Sequence, residues 1–316
     1  MDDRPGPTKT LQIDGTRLLL NGQPFYFQGL SFFNAIYNPA FNRSPADRLH
    51  WLRTFKAHGV NALRVWCQWD FSPPRTFVDV SLERTMYTPE GKIRSHPFQT
   101  LGDILRAAEG LEMVIEVTLF AHEKQPNLPI PVQERAAANM ARCLLPYRNL
   151  ILQIWNEDST EVRRYYEAIK AQDPDRLVTN SPGFAGVLGD KAQNALLDLL
   201  TPHTVRRGAE RFWEVAPQQI ASLLRRYGKP VIDDEPARTG IMQFGGIKGG
   251  TRPEQHIAQI KGVRAVGGYH TYHHDMFQNG YGHPATPPSG IPEPDFAFHR
   301  HVFAFMRENK RWEIPS

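Results

Sequence analysis

The chain has 316 residues, of which 41% are hydrophobic and 22% are charged, the ordinary composition of a globular protein. Its formal net charge is +4, and no run of lysine or arginine could follow a phosphate backbone, so nucleic acid is not an expected partner. No apolar run reaches the roughly 18–20 residues of a membrane span, and the polar N-terminus MDDRPGPTKT has no signal core, so the chain as written is expected in the cytoplasm, or outside the cell if a leader has been removed.

Strand and helix patterns alternate along the chain. The turn dipeptides Asp14-Gly15 and Asn21-Gly22 separate three short apolar runs and predict an N-terminal β-hairpin. Short runs of β-branched and apolar residues predict eight strands, at 25–30, 61–66, 113–120, 150–155, 176–181, 197–203, 229–235 and 268–274. Helical spacing, capping residues and helix-ending glycines predict helices at 44–58, 97–110, 130–146, 159–172, 190–196, 211–228, 251–267 and 295–310.

This alternation predicts an α/β protein with parallel strands covered by helices. Eight units in about 250–300 residues favour a closed (β/α)8 TIM barrel, as one domain over residues 1–316, rather than an open doubly wound sheet. No Gly-x-Gly-x-x-Gly motif follows the first strand, so a dinucleotide-binding fold has no support. The two cysteines, Cys67 and Cys143, fall in different elements, and two buried free thiols are favoured over a disulfide.

In a barrel of this type, active sites form at the C-terminal ends of the strands. The runs ILQIWNED and KPVIDDE each end in a glutamate, Glu157 and Glu235. The other ends carry candidate substrate-binding residues, namely Arg64, Trp69, His122, Asn156, His203, Tyr269 and Tyr272. Two opposed carboxylates can cleave a glycosidic bond if one is protonated and the other ionised. Arg64 is a candidate for keeping one of them ionised.

At these positions the sequence resembles the clan A retaining glycoside hydrolases, with family 5, the cellulase and mannanase group, as the nearest branch. Asn156-Glu157 matches the clan's acid/base position, Glu235 its nucleophile and Arg64 its strand-two arginine, and the resemblance covers roughly residues 10–310. It implies a carbohydrate substrate, no cofactor or metal, and double displacement. Glu235 would attack the anomeric carbon, Glu157 would protonate the leaving oxygen and then deprotonate water, and Asn156 would bind the sugar 2-hydroxyl.

The sequence also departs from family 5. His203-Thr204-Val205 stands where the family has His-x-Tyr, so the histidine matches and the tyrosine does not. Strand eight lacks the usual tryptophan, and Tyr272 or His273 could replace it. His122 matches a strand-three histidine only loosely.

Several residues have a second interpretation. Glu157 could be a first-turn carboxylate of the helix at 159–172, with Ser159 as its cap. Chemistry alone does not separate Asp233 and Asp234 from Glu235. Arg64 could pair with a structural acid, and the tryptophans at 66 and 69 could be core residues.

Two rival functions remain open, a carbohydrate-binding barrel without turnover and a metal-dependent hydrolase. The metal hypothesis depends on His270, His273 and Asp275, but the first strand lacks the His-x-His of amidohydrolase barrels. Arg206, Arg207 and Arg238 either favour an acidic sugar or are solubilising charges at the rim, the commoner case.

Overall fold

The computed structural model describes residues 9–68, 84–121, 128–184, 186–206, 211–237, 251–273 and 289–314. The strands in these ranges are β1 (Leu11–Asp14), β2 (Arg17–Leu20), β3 (Gln23–Pro24), β4 (Gln28–Ser31), β5 (Ala62–Trp66), β6 (Val114–Ala121), β7 (Leu150–Asn156), β8 (Val178–Thr179), β9 (Ile232–Asp233) and β10 (Tyr269–Tyr272). The α-helices are α1 (Pro45–Ala57), α2 (Ser95–Glu109), α3 (Ile130–Cys143), α4 (Val162–Gln172), α5 (Lys191–Leu196), α6 (Phe212–Tyr227), α7 (Pro253–Ala265) and α8 (His299–Glu308).

Seven parallel strands form a curled sheet in the order β8-β7-β6-β5-β4-β10-β9. The segment 197–201 lies between the two edge strands of this sheet. Its Asp198 N–H donates to the Val178 carbonyl at 3.1 Å, and Leu200 forms a parallel bridge with Val231. The ring is therefore an eight-membered (β/α)8 barrel, as predicted. The sixth position is a bridge rather than the predicted strand at 197–203, since Pro202 and Pro230 have no N–H to extend the ladder.

A three-stranded antiparallel sheet, β1-β2-β3, confirms the predicted N-terminal hairpin and covers the N-terminal end of the barrel. Its Leu18 packs with Phe27, Ile151 and Tyr269 in a buried cluster. The Leu18 N–H donates to the hydroxyl of Tyr269 at 2.9 Å. Tyr269, the first residue of β10, therefore lies at the floor of the barrel, opposite the strand ends that form the mouth.

Helix α4 begins later than the sequence predicts, and the predicted cap is wrong. The side chain of Asp158 accepts from the backbone N–H groups of Ser159 at 2.6 Å and Thr160 at 2.8 Å. The Ser159 hydroxyl donates to the Pro182 carbonyl at 2.8 Å rather than capping the helix. The helix therefore starts at Val162, and the turn before it is free to shape the mouth of the barrel.

Both cysteines are free, as favoured, but only Cys67 is buried. Cys143 is exposed because it ends α3 on the outside of the barrel, which corrects the expectation that both thiols are buried. No helix in the described part of the chain is long and apolar enough to cross a membrane.

Candidate active site

Glu157 follows the last residue of β7 and takes a left-handed backbone conformation, with φ of 61°. This conformation is uncommon for a residue other than glycine and costs conformational energy. The side chain of Glu157 points into the mouth, where its Oε1 lies 3.3 Å from Nδ1 of His203 and 3.6 Å from Nη2 of Arg206. The carboxylate thus faces these two side chains. Helix α4, which it would serve as a first-turn acid, begins only at Val162.

Glu235 lies just after β9 and is buried among four cationic or imidazole side chains. Nη1 of Arg64 donates to its Oε2 at 2.8 Å, and Nη2 of Arg206 lies 3.0 Å from its Oε1. Nε2 of His203 is 3.5 Å from Oε2, and Nε2 of His273 is 3.6 Å from Oε1. Each oxygen of this carboxylate therefore faces one guanidinium and one imidazole.

These neighbours keep Glu235 ionised. Burial by itself raises the pKa of the Glu235 carboxyl, because the ionised form loses its hydration. Arg206, followed by the two imidazoles and Arg64, outweighs burial and holds the pKa of Glu235 well below its ordinary value. A carboxylate in this state can act as a nucleophile or a base.

The two glutamates face each other across the mouth. One oxygen of Glu157, one oxygen of Glu235 and one ring nitrogen of His203 all lie within 4.8 Å of one another. Two carboxylates from different strands thus stand close enough to act on the same bond. Three such ligands could also hold a metal ion, but the guanidinium groups of Arg64 and Arg206 already contact Glu235 and oppose a further cation.

Arg64 joins Glu235 to the residues below and beside it. Its Nε lies 3.0 Å from Oδ2 of Asp234, and its Nη2 donates to Oε1 of Gln153 at 2.6 Å and to Oδ1 of Asn156 at 2.8 Å. With four partner atoms on rigid strands and their ends, the guanidinium has little freedom to rotate. It therefore fixes the position of the Glu235 carboxylate as well as its charge.

A second carboxyl group, Glu116, lies beneath this network in the barrel interior. The side-chain amide nitrogen of Gln153 donates at 2.8 Å both to Oε1 of Glu116 and to Oδ2 of Asp234. Burial, followed by the charge of Asp234, raises the pKa of Glu116 well above its ordinary value, and Glu116 also forms a hydrogen bond with Asp234. A protonated Glu116 supplies the donor for that bond, and Oδ2 of Asp234 also lies 3.0 Å from Nε of Arg64.

His203 is held by polar partners on both sides of its ring. Its Nδ1 lies 2.8 Å from Nη2 of Arg206 and 3.3 Å from Oε1 of Glu157. Its Nε2 forms a hydrogen bond with the hydroxyl of Ser181. These contacts fix the ring between Glu157 and Glu235.

The three consecutive acids of β9 and its end point to different places. Asp233 faces α7, where it accepts from the hydroxyl of Thr204 and the side-chain amide of Gln259, both at 2.7 Å. Burial raises the pKa of Asp233 to about 7, against the two hydrogen bonds that lower it. Asp234 binds Arg64, and Glu235 alone of the three points toward Glu157. Only Asp233 lies within β9, and its side chain faces outward, whereas Asp234 and Glu235 follow the strand and both contact Arg64.

Aromatic rings flank Arg64 on the far side of the mouth. Trp66 stacks on Phe33 with centroids 4.1 Å apart, and the guanidinium carbon of Arg64 lies 5.1 Å from the centre of the Phe33 ring. Trp66 is only 4% exposed, which fits a wall of the barrel better than an open sugar platform.

The structure brings Arg64, Asn156 and His203 together with the two glutamates and places the predicted tyrosines elsewhere. Tyr269 lies on the barrel floor. Tyr272 faces the helices, where its hydroxyl lies 2.8 Å from Nδ1 of His299 and its ring packs against His256 and Phe303. Neither position supports the expected contact with substrate. The predicted residues Trp69 and His122 lie outside the described residues.

The rival predictions on histidines and arginines can also be placed. His270 faces α7 rather than the mouth, and burial, followed by the charge of Arg264, lowers its pKa well below the ordinary value. It cannot share a ligand with His273, whose ring points at Glu235. The side chain of Arg206 is only 5% exposed, which contradicts its interpretation as a solubilising charge at the rim. Arg207, Arg238 and Asp275 lie outside the described residues.

Sequence comparison alone identifies nothing similar to this chain: no protein-family model matches it, and no curated protein is significantly similar. Solved structures are similar in fold at low identity. A family 5 glycoside hydrolase from Bacteroides vulgatus has a TM-score of 0.69 at 14% identity, over 95% of this chain and 70% of that chain. A β-1,4-D-mannanase from Cryptopygus antarcticus has a TM-score of 0.65 at 13% identity, over 97% and 96%. A family 5 mannosidase from Rhizomucor miehei has a TM-score of 0.67 at 12% identity, over 95% and 99%. The chain therefore has the (β/α)8 barrel fold of glycoside hydrolase family 5.

Proposed function

We propose that this protein is a retaining β-glycoside hydrolase that cleaves an oligosaccharide or polysaccharide with Glu157 and Glu235. The observation that carries the proposal is the pair of carboxylates facing each other within 4.8 Å. Retaining enzymes place their two carboxyl groups about 5–5.5 Å apart, whereas inverting enzymes need about 6.5–9.5 Å to admit a water molecule. The close approach of Glu157 and Glu235 favours retention.

In the first step, an oxygen of Glu235 attacks the anomeric carbon and forms an ester bond to the sugar. The bond to the leaving oxygen breaks, and Glu157 transfers its proton to that oxygen. Glu235 suits the role of nucleophile because the side chains around it keep it ionised. Asn156, held by Arg64, is positioned to bind the sugar 2-hydroxyl, a contact that strengthens in the transition state.

In the second step, water replaces the leaving group. Glu157, now ionised, takes a proton from the water as its oxygen attacks the anomeric carbon, and the ester bond to Glu235 breaks. The sugar leaves with its original configuration. No step requires a cofactor, and the positive charges of Arg64 and Arg206 stabilise the carboxylate that departs.

The proposal is tested by hydrolysis of a panel of aryl β-glycosides and soluble β-glycans. Soluble β-1,4-mannan and manno-oligosaccharides belong first in the panel, because solved structures of this fold include mannanases. Glu235→Ala is the blank, and NMR of the first product reports the configuration. Turnover that disappears in the blank, with a β-configured product, supports the proposal. Tight sugar binding without turnover would instead support the carbohydrate-binding barrel.

A further inference from the structure

The left-handed backbone at Glu157 requires neighbours that hold it. Glu157 is one of four residues other than glycine with a positive φ in the described part of the chain, and it alone of these carries a carboxylate of the candidate site. A residue stays in this sparsely populated region only where the surrounding contacts determine its conformation. The groups that fix the peptides on either side of Glu157 therefore also decide where its carboxylate points.

Asn180, the residue directly after β8, contacts the backbone on both sides of Glu157. Its Oδ1 accepts from the Trp155 N–H at 3.0 Å, and its Nδ2 donates to the Asp158 carbonyl at 2.8 Å. A backbone N–H only donates and a carbonyl only accepts, so these partners fix which end of the amide faces each of them. One buried side chain thus spans the left-handed residue.

Backbone bonds dock the same segment without help from the Asn180 side chain. The Ser181 N–H donates to the Trp155 carbonyl at 3.1 Å, and the Asp158 N–H donates to the Ser181 carbonyl at 3.3 Å. The indole nitrogen of Trp155 also donates to the Thr160 carbonyl at 2.8 Å. These bonds remain when the side chain of Asn180 is replaced, so the segment should stay on the barrel while the turn around Glu157 loses its clamp.

We propose that Asn180 is a positioning residue for Glu157, and that its amide maintains the left-handed turn from which Glu157 reaches the leaving oxygen. The proposal rests on the proposed function. A general acid must lie within hydrogen-bond reach of the atom that it protonates, so relaxation of this turn should impair proton transfer. Glu235 should keep its place, because Arg64 and Arg206 hold it independently of the turn.

The test compares two buried asparagines at opposite ends of the barrel. Asn180→Leu removes both hydrogen bonds with a side chain of similar size. Asn149→Leu is the matched control, because the amide of Asn149 is also buried and also binds backbone, donating to the carbonyls of Leu105 and Met113, both at 3.1 Å. Asn149 lies just before β7, at the end of the barrel away from the glutamates.

The substrates are phenyl and 2,4-dinitrophenyl β-mannobiosides and β-cellobiosides. In the first step the glycosidic bond breaks and an ester to Glu235 forms. Phenolate leaves poorly and needs the proton of Glu157, whereas 2,4-dinitrophenolate leaves without it. In the second step water needs Glu157 as a base. Azide does not, because it attacks the anomeric carbon as an anion, the ester breaks, and a glycosyl azide forms.

We expect Asn180→Leu to lower kcat/KM about 10- to 100-fold on the phenyl glycoside and by less than about threefold on the dinitrophenyl glycoside, as for a misplaced acid. On the dinitrophenyl glycoside kcat and KM should fall together, because the glycosyl-enzyme accumulates, and azide should restore kcat. Asn149→Leu should leave the ratio of the two kcat/KM values at that of the wild type.

Equal losses on both glycosides, or an unchanged kcat/KM on the phenyl glycoside, would overturn the proposal. If Asn180→Leu does not fold, Asn180→Ala carries the same measurements, since its short side chain leaves room for water to pair with the two backbone groups. Failure of both variants to fold would make Asn180 purely structural and would also overturn the proposal. A wild type that cleaves neither glycoside would overturn the proposed function, and this inference with it.

Discussion

Arg206 contacts Glu235 twice. Its Nη2 lies 3.0 Å from the carboxylate oxygen Oε1, and its Nε donates to the backbone carbonyl of Glu235 at 2.6 Å. A single guanidinium thus contacts both the carboxylate and the backbone of the proposed nucleophile, and it makes the largest of the charge contributions that lower the pKa of Glu235. In family 5 the sequence motif places a tyrosine near this position, and this chain has Val205 there. The arginine one residue later contacts the carboxylate in this chain.

Arg206→Gln should move the acid limb of the pH profile of kcat/KM to higher pH by about one unit or more. Arg206 lowers the pKa of Glu235, so removing its charge raises that pKa, and Glu235 becomes protonated at a pH where it is still ionised in the wild type. At low pH the value of kcat/KM should fall roughly 10- to 100-fold below that of the wild type, as expected for the loss of a charge-assisted hydrogen bond.

Arg206→Lys is the matched control, because it keeps the charge and loses the forked geometry. Its acid limb should stay close to that of the wild type even if its maximal rate falls. An acid limb that is identical in Arg206→Gln and the wild type would show that Arg206 does not control the ionisation of Glu235.

Arg64→Met should destabilise the fold as well as abolish turnover. The fully buried guanidinium is the countercharge of Asp234 and Glu235. Its removal leaves both buried carboxyl groups without this countercharge. Breaking a buried ion pair by removing one partner costs about 3–5 kcal/mol. Denaturant unfolding at pH 7 measures the loss. Arg64→Met combined with Asp234→Asn should recover part of this stability but not turnover, and equal instability of the single and double variants would contradict this account.

Much of the barrel is predictable from sequence because β5, β6 and β7 are long runs of apolar and β-branched residues. Their predicted bounds differ from the observed ones by at most one residue at each end. The bounds of the strands next to Pro202 and Pro230 are harder to predict, because a proline shortens the ladder of backbone hydrogen bonds without changing the apolar pattern. Residues at strand ends, such as Arg64 and Asn156, are predictable as site residues because the barrel fold puts those ends in one place.

The other residues of the site are harder to predict, because they do not lie at predicted strand ends. Glu116 and Gln153 lie in mid-strand, and only their polarity in an otherwise apolar run hints at a buried network. The expected contact of Tyr272 with substrate has no support, because alternation turns this side chain toward the helices while its neighbour His273 faces the mouth. The interpretation of Arg206 as a solubilising charge is wrong because the segment after His203 brings the guanidinium inward, and no local pattern predicts that.

Glu116→Gln should fold and keep most of the activity, because an amide can donate to Asp234 as the protonated acid does. The sign of the pH effect follows from the raised pKa of Glu116. The folded chain keeps a proton that the unfolded chain releases above its ordinary pKa of about 4.5, so this group destabilises the fold as pH rises. Relative to the wild type, the free energy of unfolding of the variant should therefore rise by up to about 1.4 kcal/mol per pH unit between pH 5 and 7.

Denaturant unfolding at several pH values measures that difference, with Glu116→Leu as the matched variant that cannot donate. Glu116→Leu should lose activity because Asp234 keeps the Gln153 amide but loses the second donor that fixes its position beside Arg64. A difference between Glu116→Gln and the wild type that does not change with pH would mean that Glu116 is ionised in the folded protein.

His256→Phe should make the protein more resistant to acid. The ring of His256 is buried among Phe212, Tyr272 and Phe298, and burial lowers its pKa to about 3. The unfolded chain binds a proton at this residue below its ordinary pKa of about 6.5 and the folded chain does not, so the wild type loses stability as pH falls. As pH falls from 8 to 5, the free energy of unfolding of the variant should rise by about 2 kcal/mol relative to that of the wild type, as measured by denaturant unfolding. The hydrogen bond to Thr251 is lost at every pH, so a constant difference would show that His256 carries a charge when folded.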